Sequence, residues 1–231
     1  MTNHKTILVP QGAEYKAVCR GLGGVTGSTP RVIPIPMGMK SLTTYLHKLQ
    51  EKGQILNHPY PQVVVMGICG SLSSRYSVGD IVLYQDCVYQ EHRQECDRIF
   101  TAEIYSCLSD KVSLVKSLTS DRVVWSATEK RCLGEAYKAD VVDMEGFAAL
   151  EFFQQVGVTV AMLRVVSDDS HHDIPDLTSA ISADGALKPW PLALELIRQP
   201  VAATRLIRGS LRALRVLEDV TRLLFFNSKI E

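Results

Sequence analysis

Short apolar runs alternate along the chain with longer segments in which apolar residues recur every three or four positions. This alternation predicts βα units around a buried sheet. The predicted strands span residues 6–10, 32–35, 63–66, 81–84, 141–144 and 158–166. Prolines around 32–35 favour an edge strand, whereas the uninterrupted apolar run at 63–66 is typical of a central strand covered on both faces.

Helical periodicity fills much of the remaining sequence. Helices are predicted from about residue 13, over 40–52 and over 146–156. In the second of these, Leu42, Leu46 and Leu49 fall on one face, as expected of a helix that packs against a core.

The C-terminal part of the chain is predicted to be helical beyond Pro175, with breaks at Pro189, Pro191 and Pro200. No repeat, low-complexity segment or linker divides the sequence. We therefore predict one α/β domain over residues 1–231, with a helical C-terminal tail from about residue 186.

Composition narrows the function classes. The 25 basic and 25 acidic residues balance, which argues against a general nucleic-acid-binding protein. No stretch is long and apolar enough to span a bilayer, and no signal peptide is recognised before the first strand. The six cysteines are scattered without a CxxC pair, which is typical of reduced thiols in a cytoplasmic protein.

Polar clusters follow four of the predicted elements, at residues 12–14, 67–71, 143–146 and 167–173. In open α/β sheets, ligands bind outside the carboxyl ends of the strands. A single carboxylate at such a position is often a helix cap. Four clusters at one sheet edge are better explained by a common binding site.

Other chemistries find less support in the sequence. It contains neither GxxxxGK[ST] nor GxGxxG, and it lacks the GxSxG of esterases. The adjacent His171, His172 and Asp173 are more typical of a solvated loop than of a metal site, so no metal is predicted. Cys69, in an apolar setting, is predicted to be a small buried hydrophobe and not a nucleophile.

The order GICGSL, VGDIVL, VVDMEGFAAL and LRVVSDDS resembles the purine nucleoside phosphorylase and methylthioadenosine nucleosidase superfamily over residues 6–173. The resemblance implies a twisted central mixed sheet flanked by helices, a small-molecule nucleoside substrate, no cofactor and a homo-oligomer. The segments SDRVVWSATEK, VVDMEG and SDDSHHDIPDL are most similar to the hopanoid-associated branch. Members of that branch are thought to remove adenine from adenosylhopane.

The resemblance also implies roles for individual residues. Asp168 would be the general acid facing the purine, and Glu145 would hold the ribose 2′ and 3′ hydroxyls above Met144. Arg164 would help to organise the water site, and Glu14 would activate the water. The remaining residues of the predicted substrate site are Gly67, Ile68, Cys69, Gly70, Val123, Val124 and Ser167.

These roles agree with the chemistry of nucleoside cleavage. Breaking a ribosyl C–N bond builds positive charge on the sugar and negative charge on the departing base. An acid that protonates the base must retain its proton until then, which burial or a neighbouring carboxylate favours. Asp169 and Asp173 are candidates for that neighbour. Within the superfamily, an aspartate at the position of Asp168 goes with 6-aminopurines, which implies adenine as the leaving group.

A departure from the family pattern indicates which nucleophile attacks the sugar. Hexameric phosphorylases place an arginine two residues before the first glycine of this turn, where the chain has Val65. Lys16, Arg20 and Arg75 carry charge but do not occupy that position. The departure favours water, with phosphate as a co-substrate still open.

The C-terminal tail leaves two alternatives open. Its arginines at 205, 208, 212 and 215 form one helical stripe, opposite apolar residues at 206, 207, 211, 214 and 217. The apolar side could pack on the core or on a second subunit with the arginines solvated. Alternatively, the stripe could meet anionic headgroups, as in a peripheral enzyme that reaches a membrane-borne adenosyl lipid.

Two further functions compete with cleavage of adenosylhopane. One is cleavage of a soluble 5′-substituted adenosine such as methylthioadenosine, S-adenosylhomocysteine or futalosine. The other is nucleoside binding without catalysis, which would not require Asp168, Glu145 and Arg164 together.

Overall fold

The computed structural model describes residues 5–23, 30–53, 62–180 and 188–226. Its strands are β1 Lys5–Pro10, β2 Arg31–Ile35, β3 Gln62–Ser71, β4 Ile81–Tyr89, β5 His92–Glu95, β6 Val112–Thr119, β7 Val141–Asp143 and β8 Thr159–Asp168. Its helices are α1 Ala13–Leu22, α2 Met39–Glu51, α3 Arg98–Leu108, α4 Ala127–Tyr137, α5 Gly146–Gln155, α6 Pro189–Arg198 and α7 Pro200–Phe226.

Five strands of the mixed sheet pair in a closed ring. β3 pairs with β8 on one side and with β7 on the other, β8 pairs with β4, and β6 joins β4 to β7. β1 and β2 extend the sheet from β3 in parallel, and β5 forms a hairpin with β4. Ring closure removes the exposed edges that these five strands would otherwise present.

The sheet separates two layers of helices. Ile7 and Val9 of β1 face the cluster that contains α1, α3 and α7, whereas Leu8 faces the cluster that contains α2 and α5. This alternation is the two-residue period of a strand covered on both faces. The predicted α/β class, with a mixed sheet between helices, is confirmed.

Most predicted elements are present. Residues 6–10, 32–35, 141–144 and 158–166 coincide with strands, and β2 ends the sheet as predicted. The prediction that residues 67–71 follow a strand is wrong, because β3 continues through them to Ser71. The sequence analysis did not predict β5, β6, α3 or α4.

The prolines of the C-terminal tail begin helices and do not break them. Pro189 is the first residue of α6, Pro191 lies in its first turn, and Pro200 begins α7. Proline is tolerated there because the first amides of a helix have no partner within the helix. The predicted start of the tail near residue 186 lies outside the described residues. No helix in the described parts of the chain has the length and apolarity needed to cross a membrane.

α7 approaches two neighbouring elements closely at glycine residues. Gly209 of α7 faces β8, and Gly21 of α1 faces α7. A Cβ at Gly209 would stand 2.1 Å from the carbonyl oxygen of Ser167, next to the predicted acid Asp168. A Cβ at Gly21 of α1 would stand 2.5 Å from the carbonyl oxygen of Glu218. Close helix packing against the end of β8 thus depends on the absence of a side chain.

We expect Gly209→Ala to lower the melting temperature. Alanine would favour the helix by about 1 kcal/mol, but its methyl group meets a backbone carbonyl that cannot rotate away. A net loss of about 1–3 kcal/mol corresponds to a decrease of roughly 3–10 °C in a protein of this size. Thermal unfolding followed by circular dichroism measures it, with Ser210→Ala as the control. A Gly209→Ala protein at least as stable as the wild type would contradict the packing.

Candidate active site

Strand register places the acidic and basic residues of the site next to one another. In the parallel pair of β3 and β8, Arg164 lies beside Gly67, and Asp168 lies beside Gly70. β7 pairs antiparallel with the last residues of β3, with Val142 opposite Gly70. The chain after Val142 therefore runs back along β3, which brings the cluster at residues 143–146 to the same place.

Arg164 is the buried charge at the base of this site. Its side chain has no exposure to solvent, and its Nη2 lies 3.2 Å from Oδ2 of Asp143 and 3.9 Å from Oε2 of Glu145. Its Nη1 donates to the carbonyl oxygen of Met66 at 3.2 Å. Because arginine stays charged in proteins, this position holds a fixed positive charge among carboxylates.

Glu14 and Glu145 converge on Arg164 from two different helix starts. The amide of Ile68 donates to Oε2 of Glu14, and the amide of Gly38 donates to Oε1 of Glu145, each at 2.8 Å. Burial raises the pKa of Glu14 to about 8 against the attraction of Arg164. Burial likewise raises the pKa of Glu145 to about 7. Both carboxyls therefore exchange protons near neutral pH, as general bases and acids must.

Gly67 gives these side chains the room that they need. A Cβ at this position would stand 2.2 Å from Nη1 of Arg164 and 2.4 Å from Oε2 of Glu14. Any larger residue would displace the guanidinium or the carboxylate. Gly67 was predicted to belong to the substrate site. It does not line the cavity, but it leaves space for the side chains of Arg164 and Glu14.

Asp143 has a structural function within the same cluster. Its Oδ1 accepts from the hydroxyl of Thr119 and from the amide of Gly146, both at 3.0 Å. Since Gly146 begins α5, Asp143 caps that helix while its other oxygen faces Arg164. The sequence analysis named the cluster at residues 143–146 but did not assign this residue a role.

Asp168 lies between a lysine and a hydroxyl group. The Nζ of Lys130 makes an ion pair with Oδ2 of Asp168 and donates to the carbonyl oxygen of Asp169 at 3.0 Å. The hydroxyl of Ser167 donates to Oδ1 of Asp168 at 2.7 Å. Lys130 is fully buried.

The sequence analysis named Asp169 and Asp173 as candidate neighbours of Asp168, but the hydrogen bonds of both side chains lead elsewhere. Asp169 accepts from the backbone amides of His171 and His172, and Asp173 accepts from the amide of Ala127 at the start of α4. The neighbour is instead the cation of Lys130. A sequence signal for the helix that carries it was present, because Ser126 and Glu129 have the spacing of a capping box.

Most of the predicted site residues line one cavity of about 460 Å³, a size typical of small-molecule sites. The predicted residues around it are Glu14, Ile68, Cys69, Gly70, Val123, Val124, Met144, Glu145, Ser167 and Asp168. Arg164, like Gly67, lies behind the wall. The lining also includes Arg122, whose guanidinium pairs with Glu129.

The far side of the cavity is apolar. Its lining there comes from α6, α7 and the segment before them: Ile174, Leu177, Leu192, Leu196, Leu206, Ile207, Leu211 and Leu214. Leu217 of α7 was predicted on the same side of the tail, but its side chain is fully buried in the core on which α7 packs. The predicted apolar face of α7 thus divides between core and cavity.

Metal and thiol chemistry gain no support from the geometry. Among the described residues, no three His, Cys, Asp or Glu side chains are grouped as metal ligands. His171 and His172 are exposed, and His172 contacts Asp169. Cys69 is buried, and burial raises the pKa of its thiol well above the ordinary value, which keeps it protonated.

Comparison with known proteins assigns the family. The sequence model of the phosphorylase superfamily matches residues 22–184, which is more than half of the chain. The chain belongs to the phosphorylase superfamily. No curated protein matches it with significance.

Solved structures with a similar fold match nearly the whole chain. A 5′-methylthioadenosine/S-adenosylhomocysteine nucleosidase of Helicobacter pylori is 16% identical with a TM-score of 0.69, over 95% of this chain and 97% of that one. The futalosine hydrolase of Helicobacter pylori is also 16% identical, with a TM-score of 0.68 over 95% and 96%. A corresponding nucleosidase of S. pneumoniae, solved with a transition-state inhibitor, is 15% identical, with a TM-score of 0.64 over 95% and 99%. At such identities the likeness establishes the fold.

We expect Glu14→Gln to reduce the dependence of stability on pH. The pKa of Glu14 lies at about 8 in the folded protein and near 4.5 when unfolded, so the folded state binds the extra proton between these values. Stability from this group is therefore full below pH 4.5 and is lost as the pH rises towards 8. Between these limits, the decrease in melting temperature should be roughly 10 °C or more smaller in the variant.

The control for this measurement is Glu103→Gln, which removes an exposed carboxyl from α3. Its melting temperature should follow that of the wild type at every pH. Parallel curves for Glu14→Gln and wild type would show that Glu14 is ionised throughout this range, contrary to the burial argument.

Proposed function

We propose that the protein is an enzyme that cleaves the N-glycosidic bond of an adenine nucleoside, with water as the nucleophile. The observation that carries the proposal is the arrangement in one cavity of two buried carboxyls, Glu14 and Glu145, and a third carboxyl, Asp168, held by Lys130. The named activities of the structural neighbours, methylthioadenosine/S-adenosylhomocysteine nucleosidase and futalosine hydrolase, support it.

The base would lie against Asp168, Val123 and Val124. Protonation of purine N7 by Asp168 neutralises the negative charge that the ring gains as the C1′–N9 bond breaks. The two valines offer apolar surface to the ring. An aspartate at this position goes with 6-aminopurines in the superfamily, which favours adenine.

The sugar would lie over Met144, with its vicinal hydroxyls on Glu145. The raised pKa of Glu145 means that ionisation becomes favourable when hydroxyl donors arrive, and the carboxylate then also stabilises the cationic sugar. Burial raises the pKa of Glu14 to about 8, so its ionised form is a stronger base than an ordinary carboxylate and can take a proton from the attacking water. Arg164 lies 3.9 Å from Glu145 and attracts the carboxyl of Glu14 electrostatically, from behind the cavity wall.

Water is favoured over phosphate by the charges around the cavity. Val65, at the position of the phosphorylase arginine, is fully buried. Arg20 and Arg75 form ion pairs with Glu218 and Asp140 and do not line the cavity, and neither does Lys16. Among the described lining residues, the basic side chain is Arg122, which Glu129 already neutralises.

The 5′ substituent is proposed to be a large apolar group, as in adenosylhopane. Leucine and isoleucine side chains of α6 and α7 give the cavity an apolar wall, and Ile207 and Leu211 on that wall are about half exposed. An apolar wall that opens to solvent suits a lipid whose tail leaves the cavity. The resemblance to the hopanoid-associated branch points the same way.

Delivery of such a lipid would require contact with a membrane, at the cytoplasmic face if the protein resides there. Trp190 and Ile197 of α6 are 85% and 75% exposed, close to the cavity wall. The four stripe arginines of α7 are exposed, and none has an ion-pair partner in the described parts of the chain. Exposed aromatic and apolar residues beside free arginines are typical of interfacial helices. A homo-oligomer that covers the same residues is the alternative.

The proposed activity predicts adenine release from 5′-substituted adenosines, and Asp168→Asn should reduce turnover by about a hundredfold or more. Glu145→Gln should reduce it to a similar degree, because the ribose hydroxyls lose a charged acceptor. Chromatography measures the release of adenine, and mass spectrometry of the sugar product, with and without phosphate, identifies the nucleophile. Asp168→Asn leaves Lys130 without its partner, so assays are run below the melting temperature of each variant.

The control is Asp110→Asn, an exposed site remote from the cavity. Full turnover by a folded Asp168→Asn protein would refute the acid. Ribose 1-phosphate formed only with phosphate would refute water as nucleophile. Binding of adenosines with no release by the wild type would instead indicate a nucleoside-binding protein.

Membrane contact predicts co-sedimentation with liposomes that contain anionic phospholipid, stronger at low than at moderate salt. Changing the stripe arginines at 205, 208, 212 and 215 to glutamine should abolish most of the binding. The matched control changes four exposed lysines elsewhere, at 40, 48, 52 and 111, to glutamine, which alters the net charge equally. Binding that is absent, or reduced equally in both variants, would favour a soluble substrate. Sedimentation velocity shows in parallel whether a second subunit forms.

A further inference from the structure

We infer that Lys130 is a positioning residue that supplies, through Asp168, the proton taken up by the leaving base. The inference rests on the proposed function and assigns a role to a residue that the sequence motifs did not single out. Lys130 would touch Asp168 and not the substrate.

The contacts of Asp168 raise the question of where its proton comes from. A carboxyl paired with an ammonium group is held as a carboxylate, and a carboxylate cannot act as an acid until it receives a proton. Ser167 and Lys130 are the two groups that donate to Asp168 in the described residues. A serine hydroxyl is far too weak an acid for this purpose, whereas an ammonium group can give up a proton.

The surroundings of Lys130 favour the transfer when the cavity is filled. The side chain of Asp168 retains 12% exposure, but that of Lys130 has none. A nucleoside in the cavity would cover the remaining exposed part of Asp168 and separate it from bulk water. Burial disfavours separated charges, so the neutral amine and carboxylic acid become closer in energy to the ion pair.

The step balances without a further reactant. As the C1′–N9 bond breaks, its electron pair moves onto the purine. Asp168 receives a proton from Nζ of Lys130 and passes it to N7, so that neutral adenine leaves, Asp168 is again a carboxylate and a neutral amine remains. Glu14 takes the proton of the attacking water, and the amine is recharged from solvent after the products depart.

Two substitutions separate proton supply from charge. Lys130→Met removes both the cation and the proton. Lys130→Arg retains a cation beside Asp168, but a guanidinium group does not lose its proton in a protein. If Lys130 supplies the proton, both variants should lose about a hundredfold in kcat on adenine nucleosides.

Two leaving groups separate chemistry from structural damage. Each variant is assayed with the 5′-substituted adenosine that the wild type cleaves best and with the 4-nitrophenyl riboside carrying the same 5′ group. Nitrophenolate departs without protonation, so its release should stay within about threefold of wild type. Asp168→Asn should show the same selective loss, and Lys138→Met, an exposed lysine at the end of α4, should show none.

Each outcome decides the inference. Selective loss on the adenosine in both Lys130 variants supports it. Adenosine cleavage near the wild-type rate by Lys130→Arg or Lys130→Met overturns it, and so does an equal loss on both substrates, which indicates a structural role. Wild-type protein that releases neither adenine nor nitrophenolate contradicts the proposed function itself, before any variant is compared.

Discussion

The active site is organised by the need to compensate Arg164, a permanent charge without exposure to solvent. A buried guanidinium is tolerated only where anionic partners and hydrogen-bond acceptors surround it. Asp143 supplies the nearest carboxylate, and Glu145 and Glu14 complete the group. These residues come from three distant segments, so the fold and the site stabilise each other. Burial of Glu14 and Glu145 costs stability at neutral pH and holds both groups close to the protonation change that catalysis requires.

Closure of the strand ring brings these segments together. If β7 continued in parallel beside β3, Asp143 would lie beyond the end of the strand and out of reach of Arg164. Antiparallel pairing at Gly70 turns the cluster back along β3. The same register places Asp168 next to Gly70, on the opposite side from Val142. Glycine at position 70 leaves room for both, because a Cβ there would stand 2.9 Å from the carboxylate of Asp168 and 3.3 Å from Val142.

The C-terminal helices complete the cavity and give it two different ends. At one end lie the carboxyls, with Arg164 and Lys130 behind them, and at the other lie leucine and isoleucine side chains. α7 is held close to β8 at Gly209, so its side chains reach the cavity beside Asp168. α7 packs on the core with one part of its apolar surface and forms a cavity wall with another, so the stability of the fold and the shape of the cavity depend on the same helix.

The sequence pattern by itself determined the fold class and the main strands, and the resemblance to the superfamily named most of the residues that meet in the cavity. Apolar runs indicate buried strands, and the polar clusters after most of them indicate where strands end. Both patterns are local because each strand of a covered sheet must be apolar along its own length. Only the tertiary structure decided that β3 continues through residues 67–71, that the ring closes, that Lys130 and not a carboxylate faces Asp168, and that α7 forms part of the cavity. Each of these depends on how distant segments pair or approach one another. A local pattern of apolar and polar residues does not specify which segment it will pair with.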